Sequence, residues 1–261
     1  MDLHGSITTM LFLVTDTSGK DGFVGLARTR EGARSDHVDV IGEVPLAGGT
    51  FSAQLVPQIS GLLGSHGLEK TDIDGFIVVS GPGSFTGLRV GLAAIKALAE
   101  ILKNPIVPVS LLEVLGKSSM LTAAGQDGHA TCTPLRYAVA LDAGRKEAYV
   151  GEYEVVVEGN SARSFQCGGE RLLDLESLVQ LMESGTARWL ATPDPALATL
   201  LSERLDAAGN YTIVRTDRPR SSGITTVGWQ KLKAGKVVSP EQLDANYIRR
   251  SDAEIFAKPR P

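Results

Sequence analysis

The stretch "SGPGSFTGLRVG" (Ser80–Gly91) joins two apolar runs that differ in length. The run before it, "GFIVV" (Gly75–Val79), is short and rich in β-branched residues, which predicts a buried strand. The run after it, "LRVGLAAIKALAEIL" (Leu88–Leu102), is long enough for a helix. A strand followed by a glycine-rich turn and a helix is the building unit of an α/β fold.

The turn itself is open to two interpretations. A glycine-rich turn into a helix can bind an anion, because free N–H groups and the helix dipole point toward it. The dinucleotide fingerprint fails because Thr86 occupies the place of the third glycine, and the P-loop fails because Leu88 and Arg89 follow Gly87. The alternative is a tight turn in which Ser84 or Thr86 caps the helix.

The helix after the turn is apolar around most of its circumference. Its charged residues, Arg89, Lys96, Glu100 and Lys103, are spaced to form one narrow stripe. A helix that packs on one sheet needs only about 100° of apolar surface, so this helix needs cover on a second side. A second helix of the same domain or a partner subunit can supply it.

We favour a partner subunit, because Gly87 and Gly91 lie one turn apart and allow close approach of another backbone. The amphipathic helix predicted at residues 52–65 is expected to share the interface. The predicted interface residues are Leu55, Ile59, Leu62, Leu63, Gly87, Leu88, Val90, Gly91, Ala94, Ile95 and Leu98.

The remaining pattern predicts a mixed sheet in each of two lobes. Three strands near residues 8–18, 22–30 and 37–46 precede the first helix, and the polar segment 122–135 indicates a boundary. We expect a first lobe at 1–121, completed by a returning helix within 222–261, and a smaller α/β lobe at 122–221. Both lobes open with a strand, an aspartate, a small turn and a second strand, which is a weak internal repeat.

Composition excludes several classes of protein. Among 261 residues, 43% are hydrophobic and 21% charged, and the net charge of −4 gives no basic footprint for direct RNA binding. The basic tail from Arg249 to Arg260 is the one local patch. Two cysteines, no leader pattern and no apolar run of membrane-spanning length predict a cytoplasmic protein outside the membrane.

The histidines and cysteines lack the spacing of metal ligands, so no metal site is expected. Asp16 and Asp142 each end a strand at a turn of small residues. They are either ordinary turn residues or, with Thr17, Ser18, Ser84 and Thr86, contacts for an anion or a metal-bound nucleotide.

Together, "VVSGPGSFTGLRVGLAAIKALA", "LVTDTS", "LDAGRKEAYVGEY" and "DANYIRR" resemble the TsaB (YeaZ-like) proteins over most of the chain. The resemblance implies a two-lobed actin/Hsp70/sugar-kinase-like (ASKHA) fold. It also implies a non-catalytic subunit for threonylcarbamoyladenosine modification of tRNA beside the anticodon.

The family's partners are the catalytic transferase TsaD and the ATPase TsaE, and its two interface helices map onto Ser52–Ser65 and Thr86–Lys103. The catalytic relative carries a metal-binding histidine pair, whereas the equivalent stretch here, "GGTFSAQLVPQISG", contains no histidine. The resemblance implies contact with tRNA through the complex, with ATP or ADP, if bound, at the complex interface. When the chain is alone, we expect a homodimer through the same apolar helix face, because that face must be covered.

Two alternatives remain. A kinase or ATPase of the same fold would use Asp16 and Asp142, although a phosphate-loop lysine is missing. A metallopeptidase is disfavoured by the histidine pattern.

Overall fold

The structure is a computed structural model, and it describes residues 9–30, 37–47, 49–126, 135–158, 161–185, 187–205, 209 and 211–249. The chain divides into two compact units. The first comprises Met1–Leu111 and Arg220–Asn246, and the second comprises Leu112–Pro219 and Tyr247–Pro261. Most of the basic tail, including Arg250, Lys258 and Arg260, lies outside the described residues.

The first unit contains a five-stranded mixed sheet in the order β3-β2-β1-β4-β5. Its strands are β1 (Thr9–Asp16), β2 (Gly22–Arg30), β3 (His37–Leu46), β4 (Gly75–Gly81) and β5 (Ile106–Ser110). The β1–β2 and β2–β3 pairs are antiparallel, whereas β1–β4 and β4–β5 are parallel. The three opening strands and the mixed sheet predicted from sequence are confirmed.

Helices cover both faces of this sheet. Alternate strand residues such as Leu13 and Val78 join the core beneath α1 (Phe51–Ser65) and α2 (Phe85–Leu102). On the other face, Phe12 meets Trp229 of α6 (Ser221–Lys233), with ring centroids 6.1 Å apart. The side-chain period of two along a strand divides the sheet between the two helix layers in this way.

Helix α6 begins at Ser221, where the Glu43 carboxylate accepts a hydrogen bond from a backbone N–H of the first turn. Glu43 Oε2 accepts hydrogen bonds from Ser221 Oγ at 2.5 Å and from Ser221 N at 3.2 Å. A negative charge at a helix N-terminus also interacts favourably with the helix dipole. The returning helix expected within 222–261 is therefore α6, and it packs on the sheet of the first unit.

The second unit repeats the strand arrangement. Its sheet has the order β11-β10-β6-β7-β8, and β9 also pairs with β7. Its strands are β6 (Leu135–Gly144), β7 (Glu147–Glu158), β8 (Ser161–Gln166), β9 (Arg171–Asp174), β10 (Trp189–Thr192) and β11 (Thr212–Arg215). As in the first unit, the opening strand pairs antiparallel with the next strand and parallel with a later one. The weak internal repeat is thus a repeat of topology.

Three helices accompany the second sheet: α3 (Leu111–Gln126), α4 (Leu175–Glu183) and α5 (Pro195–Arg204). The polar segment that indicated a boundary at residue 122 begins within α3, because Ala123 and Ala124 are strong helix formers. Residues 161–174 form two strands, β8 and β9, with Gly168 and Gly169 between them.

Candidate functional site

The helix pair α1–α2 of the first unit forms the candidate site, and one side of each helix is buried in the core of that unit. Phe51, Leu55, Ile59, Leu62 and Leu63 of α1 are buried in the same core as Leu92, Ile95 and Ala99 of α2. These positions repeat at three and four residues, so each helix directs one stripe toward the sheet. This burial explains why both helices form with so few charged residues.

Gly87 and Gly91 contact the chain's own β1 turn, which corrects the predicted role of these two glycines. A Cβ atom at Gly87 would lie 2.1 Å from the carbonyl oxygen of Thr17, and one at Gly91 would lie 2.2 Å from Thr17 Oγ1. Both distances are far shorter than any real Cβ contact. The close approach that the glycines permit is therefore between α2 and the turn after β1, within one unit.

Most of the predicted interface residues are likewise inside the unit. Buried in its interior are Leu55, Ile59, Leu62, Leu63, Gly87, Leu88, Gly91 and Ile95, while Val90, Ala94 and Leu98 are partly buried. The sequence could not distinguish the two apolar sides of α2, because either side satisfies the helical period. The buried side is the one that carries the glycines.

The outer sides of α1 and α2 carry small and apolar residues, and the exposed charges there are Arg89 and Glu100 of α2. We call the uncharged part of this surface the outer α1–α2 face; its exposed residues are Ala53, Val56, Pro57, Ser60, Gly61 and Gly64 of α1 and Ala93, Ala97 and Ile101 of α2. Val56 is 59% exposed and Ile101 is 68% exposed. No charged residue occurs anywhere in α1. Sequence analysis missed these residues, although the row Ala53, Pro57 and Gly61 repeats every four residues opposite the buried stripe.

The glycine-rich turn is engaged by its own chain. Ser84 caps α2, with its Oγ accepting from Gly87 N at 3.3 Å, and the Ser84 N–H donates to the Ser18 carbonyl oxygen at 2.7 Å. Leu88 N donates to the Ser84 carbonyl oxygen at 2.9 Å. These N–H groups are the ones an anion would need. The turn and cap interpretation with Ser84, and not Thr86, is the arrangement present.

Asp16 serves the same turn. Its Oδ1 accepts from Ser18 N at 2.8 Å and from Ser18 Oγ at 2.5 Å, and the residue is only 1% exposed. Thr17 and Ser18 are also buried. The aspartate therefore has a structural use that requires no nucleotide, because its hydrogen bonds hold the turn against α2.

An open cavity of about 550 Å³ lies at the first turns of α1 and α2. Lys20, Asp21, Ser52, Thr86 and Val90 are among its lining residues. Its lining includes no residue of the outer α1–α2 face, although the exposed residues Ser52 and Thr86 belong to the same two helices.

In the second unit, Asp142 is exposed and pairs with a carboxylate that sequence analysis missed. Asp142 N donates to Asp194 Oδ2 at 2.6 Å, while Asp142 Oδ1 accepts from Gly144 N at 2.9 Å. Burial raises the pKa of Asp194, and the Asp142 charge raises it further. The parallel strands β6 and β10 bring the two aspartates together, a proximity that spacing along the chain did not indicate.

Within the described residues, no group of three or more histidine, cysteine, aspartate or glutamate side chains is arranged to hold a metal ion. No helix in the described part of the chain is long and apolar enough to cross a membrane.

The topology and the helix pair define a protein of ASKHA type, and comparisons with known proteins agree. Residues 36–191 match the family model of TsaD, tRNA N6-adenosine threonylcarbamoyltransferase. Two solved structures from Pseudomonas aeruginosa share the fold: one described as similar to peptidase YeaZ (TM-score 0.64, 22% identity, 92% of this chain and 100% of that one) and one named YeaZ (TM-score 0.62, 22% identity, 91% and 99%).

Among curated relatives, the TsaB protein of Bacillus subtilis is 26% identical over 94% of this chain and 96% of its own length. The TsaB protein of Escherichia coli is 27% identical over 77% of this chain and 81% of its own length. Both are named tRNA threonylcarbamoyladenosine biosynthesis proteins. The chain belongs to the family of the TsaD model and, within it, to the TsaB (YeaZ-like) proteins.

Proposed function

We propose that this protein is a non-catalytic subunit for the threonylcarbamoyladenosine modification of tRNA. It binds and supports a TsaD-type transferase, and a TsaE-type ATPase joins the same assembly. The names of its curated relatives support the pathway. The subunit role rests on one observation above all: small and apolar residues are exposed side by side on two adjacent helices, one of which, α1, contains no charge.

The outer α1–α2 face has the composition of a helix-packing surface. Its exposed residues are small or apolar, and a Cβ atom at Gly61 or Gly64 would meet nothing within 4 Å. Small residues allow the backbone of a partner helix to approach closely. Val56 and Ile101 supply large exposed side chains, of the kind that mark interaction sites when they lie in one patch.

The chemistry of the described residues supports a role without catalysis. Asp16, the first candidate for nucleotide chemistry, is buried and directed into its own turn. The kinase or ATPase alternative is therefore weaker than the subunit role. We place ATP or ADP, where the assembly binds it, at the interface with the transferase and not on this chain alone. The working location is the cytoplasm, where tRNA is modified.

Without its partner, the protein is proposed to form a homodimer through the same face, because the exposed apolar side chains are then covered by a second copy. Mass action makes the two assemblies compete, so excess transferase should dissociate the homodimer.

The test uses charge insertion on the face. Val56→Asp and Ala97→Asp place an unpaired carboxylate at the centre of the proposed contact, where burial costs about 3 kcal/mol or more. Val237→Asp is the matched control, since Val237 is an exposed valine (42%) of the same unit that belongs to neither helix. Affinity for the TsaD-type protein of the same organism is measured by calorimetry.

We expect the two face variants to lose at least about a hundredfold in affinity and to be monomeric in sedimentation, while the control binds as the wild type does. Equal affinity for all three variants would refute the assignment of the face. Unchanged thermal stability of each variant is the requirement for interpreting the binding data.

A further inference from the structure

A basic cavity of about 700 Å³ in the second unit has no part in the proposed partner face. We call it the turn pocket, because the β6–β7 turn forms one wall. Four cationic residues line it: Arg145, Lys146, Arg204 and Arg249. All of its lining residues belong to the second unit.

The acidic residues of the turn pocket are already committed to partners in the chain. Glu147 forms an ion pair with Arg249, and Glu176 forms one with Arg204. Asp174 caps α4, with its Oδ1 accepting from Ser177 N at 2.7 Å. The pairing orients Arg249, whose guanidinium also lies 6.0 Å from the ring centroid of Tyr149. The pocket is lined by four cationic and three acidic residues, and two of the cations, Arg145 and Lys146, lie on the β6–β7 turn.

The turn has an unusual composition for its geometry. Gly144 ends β6 and Glu147 begins β7, so Arg145 and Lys146 are the two central residues of a hairpin turn. Their φ angles are +57° and +62°. A two-residue turn with both φ angles positive strongly favours Asn-Gly, since larger side chains are strained there. Strained positions of this kind concentrate at functional sites.

Both residues of this turn are exposed, so packing in a buried core does not explain why the strained conformation carries long side chains. What the two residues add to the turn is a pair of long cationic side chains at the edge of a large cavity. Such side chains are the usual ligands of phosphate oxygens.

We propose that the turn pocket binds the phosphate backbone of RNA. An open pocket whose cations come from three separate segments, the β6–β7 turn, α5 and Arg249, matches a chain of phosphates better than it matches one small anion. This inference rests on the proposed function for the identity of the RNA, which is the tRNA that the assembly modifies. Since the whole chain carries a charge of −4, the contact is weak and strongly dependent on salt.

The experiment replaces the turn with the residues that its geometry favours. Arg145→Asn combined with Lys146→Gly removes two charges and relieves the strain, so this variant should fold at least as stably as the wild type. The matched control, Lys70→Asn combined with Lys236→Asn, removes two exposed lysines of the first unit. Binding of an unmodified tRNA transcript to the full chain is followed by fluorescence anisotropy between 50 and 200 mM salt, the usual range for such measurements.

We expect the turn variant to bind tRNA about tenfold more weakly than the control at the lowest salt. Loss of two phosphate contacts should also lower the slope of log affinity against log salt by about 1.5. Thermal stability of the turn variant should not fall. If it does fall, the pair Arg145→Gln and Lys146→Gln, which keeps long side chains, takes its place.

Three results would overturn the proposal: no detectable tRNA binding by the wild type at the lowest salt, equal binding by the turn variant and its control, or binding of free ATP with no binding of tRNA. Each leaves the partner face untouched, because that face lies in the first unit and is tested by affinity for the transferase. Absence of transferase binding by the wild-type chain, in turn, would refute the proposed function without altering the tRNA affinity of the isolated chain.

Discussion

Thr17 and Gly91 are in direct contact: a Cβ atom at Gly91 would lie 2.2 Å from Thr17 Oγ1 and 3.2 Å from Thr17 Cγ2. The glycines of α2 therefore fasten the helix to the turn after the first strand. Of the two interpretations of the turn, an anion site or a helix cap, the packing agrees with the cap. The turn positions α2, and α2 presents its opposite side outward.

Gly91→Ala should destabilise the isolated chain by about 1–3 kcal/mol, the usual range for overpacking a tight contact. Gly61→Ala is the matched control on α1, since a Cβ atom there meets nothing within 4 Å. The control should stabilise the chain by about 0.5–1 kcal/mol, because alanine loses less entropy than glycine in a helix. Urea unfolding of the isolated variants measures both changes. An unaffected Gly91→Ala variant would contradict the packing described here.

A double-mutant cycle tests the same contact from the other side. Thr17→Ala removes Oγ1 and the methyl group that a new Cβ atom would strike, so it should recover about 1 kcal/mol in the Gly91→Ala background. Additive effects would mean that the two residues do not interact.

The two stacked tyrosines of the second unit should respond oppositely to loss of their hydroxyls. Tyr137 Oη donates to the Gly116 carbonyl oxygen at 2.8 Å, whereas buried Tyr153 Oη has no hydrogen-bond partner among the described residues. Tyr137→Phe should destabilise the chain by about 0.5–1.5 kcal/mol, and Tyr153→Phe should stabilise it by about 1 kcal/mol. Thermal unfolding of both variants provides the comparison. A destabilising Tyr153→Phe would indicate that Tyr153 Oη does have a hydrogen-bond partner.

The Asp142–Asp194 pair should make stability depend on pH in a defined direction. Burial raises the pKa of Asp194 in the folded chain above its ordinary value of 3.8, so the folded state binds the proton more tightly than the unfolded state. The contribution of this group to stability is then largest below the ordinary pKa. It is lost as the pH rises through the folded pKa.

Asp194→Asn keeps an oxygen that can accept from Asp142 N and removes the negative charge. At pH 7 it should stabilise the chain by at most about 0.5 kcal/mol, because the side chain is partly exposed and solvent screens the repulsion. Its difference from the wild type should vanish at pH 3. Urea midpoints measured from pH 3 to pH 7 check the trend, and a difference that grows toward low pH would contradict it.

The purified chain alone should show no threonylcarbamoyl-transferase or peptidase turnover, with or without added divalent metal. The basis is that no cluster of metal ligands occurs among the described residues. Assays with unmodified tRNA and with peptide substrates provide the measurement, and the chain mixed with its TsaD-type partner is the positive control. Metal-dependent turnover by the chain alone, lost on chelation, would refute this prediction.

The sequence by itself determined the local structure and the topology class. The short β-branched run 75–79, the hydroxyl cap Ser84 and the long apolar run to Leu102 each follow from interactions between residues near in sequence. The repeated strand–aspartate–turn–strand pattern likewise indicated two mixed sheets. Such features depend on propensity, side-chain period and capping, all of which are visible within about twenty residues of chain.

Only the tertiary structure decided which apolar side of α2 faces inward. Gly87 and Gly91 allow close packing with any backbone. In the fold, the turn at Thr17, which follows β1 and lies far earlier in the sequence, occupies the space beside them. The sequence did not indicate the Asp142–Asp194 pair or the Arg249–Glu147 ion pair for the same reason. Contacts between residues far apart in sequence depend on how strands are ordered in the sheet, and the period of a single segment carries no information about that order.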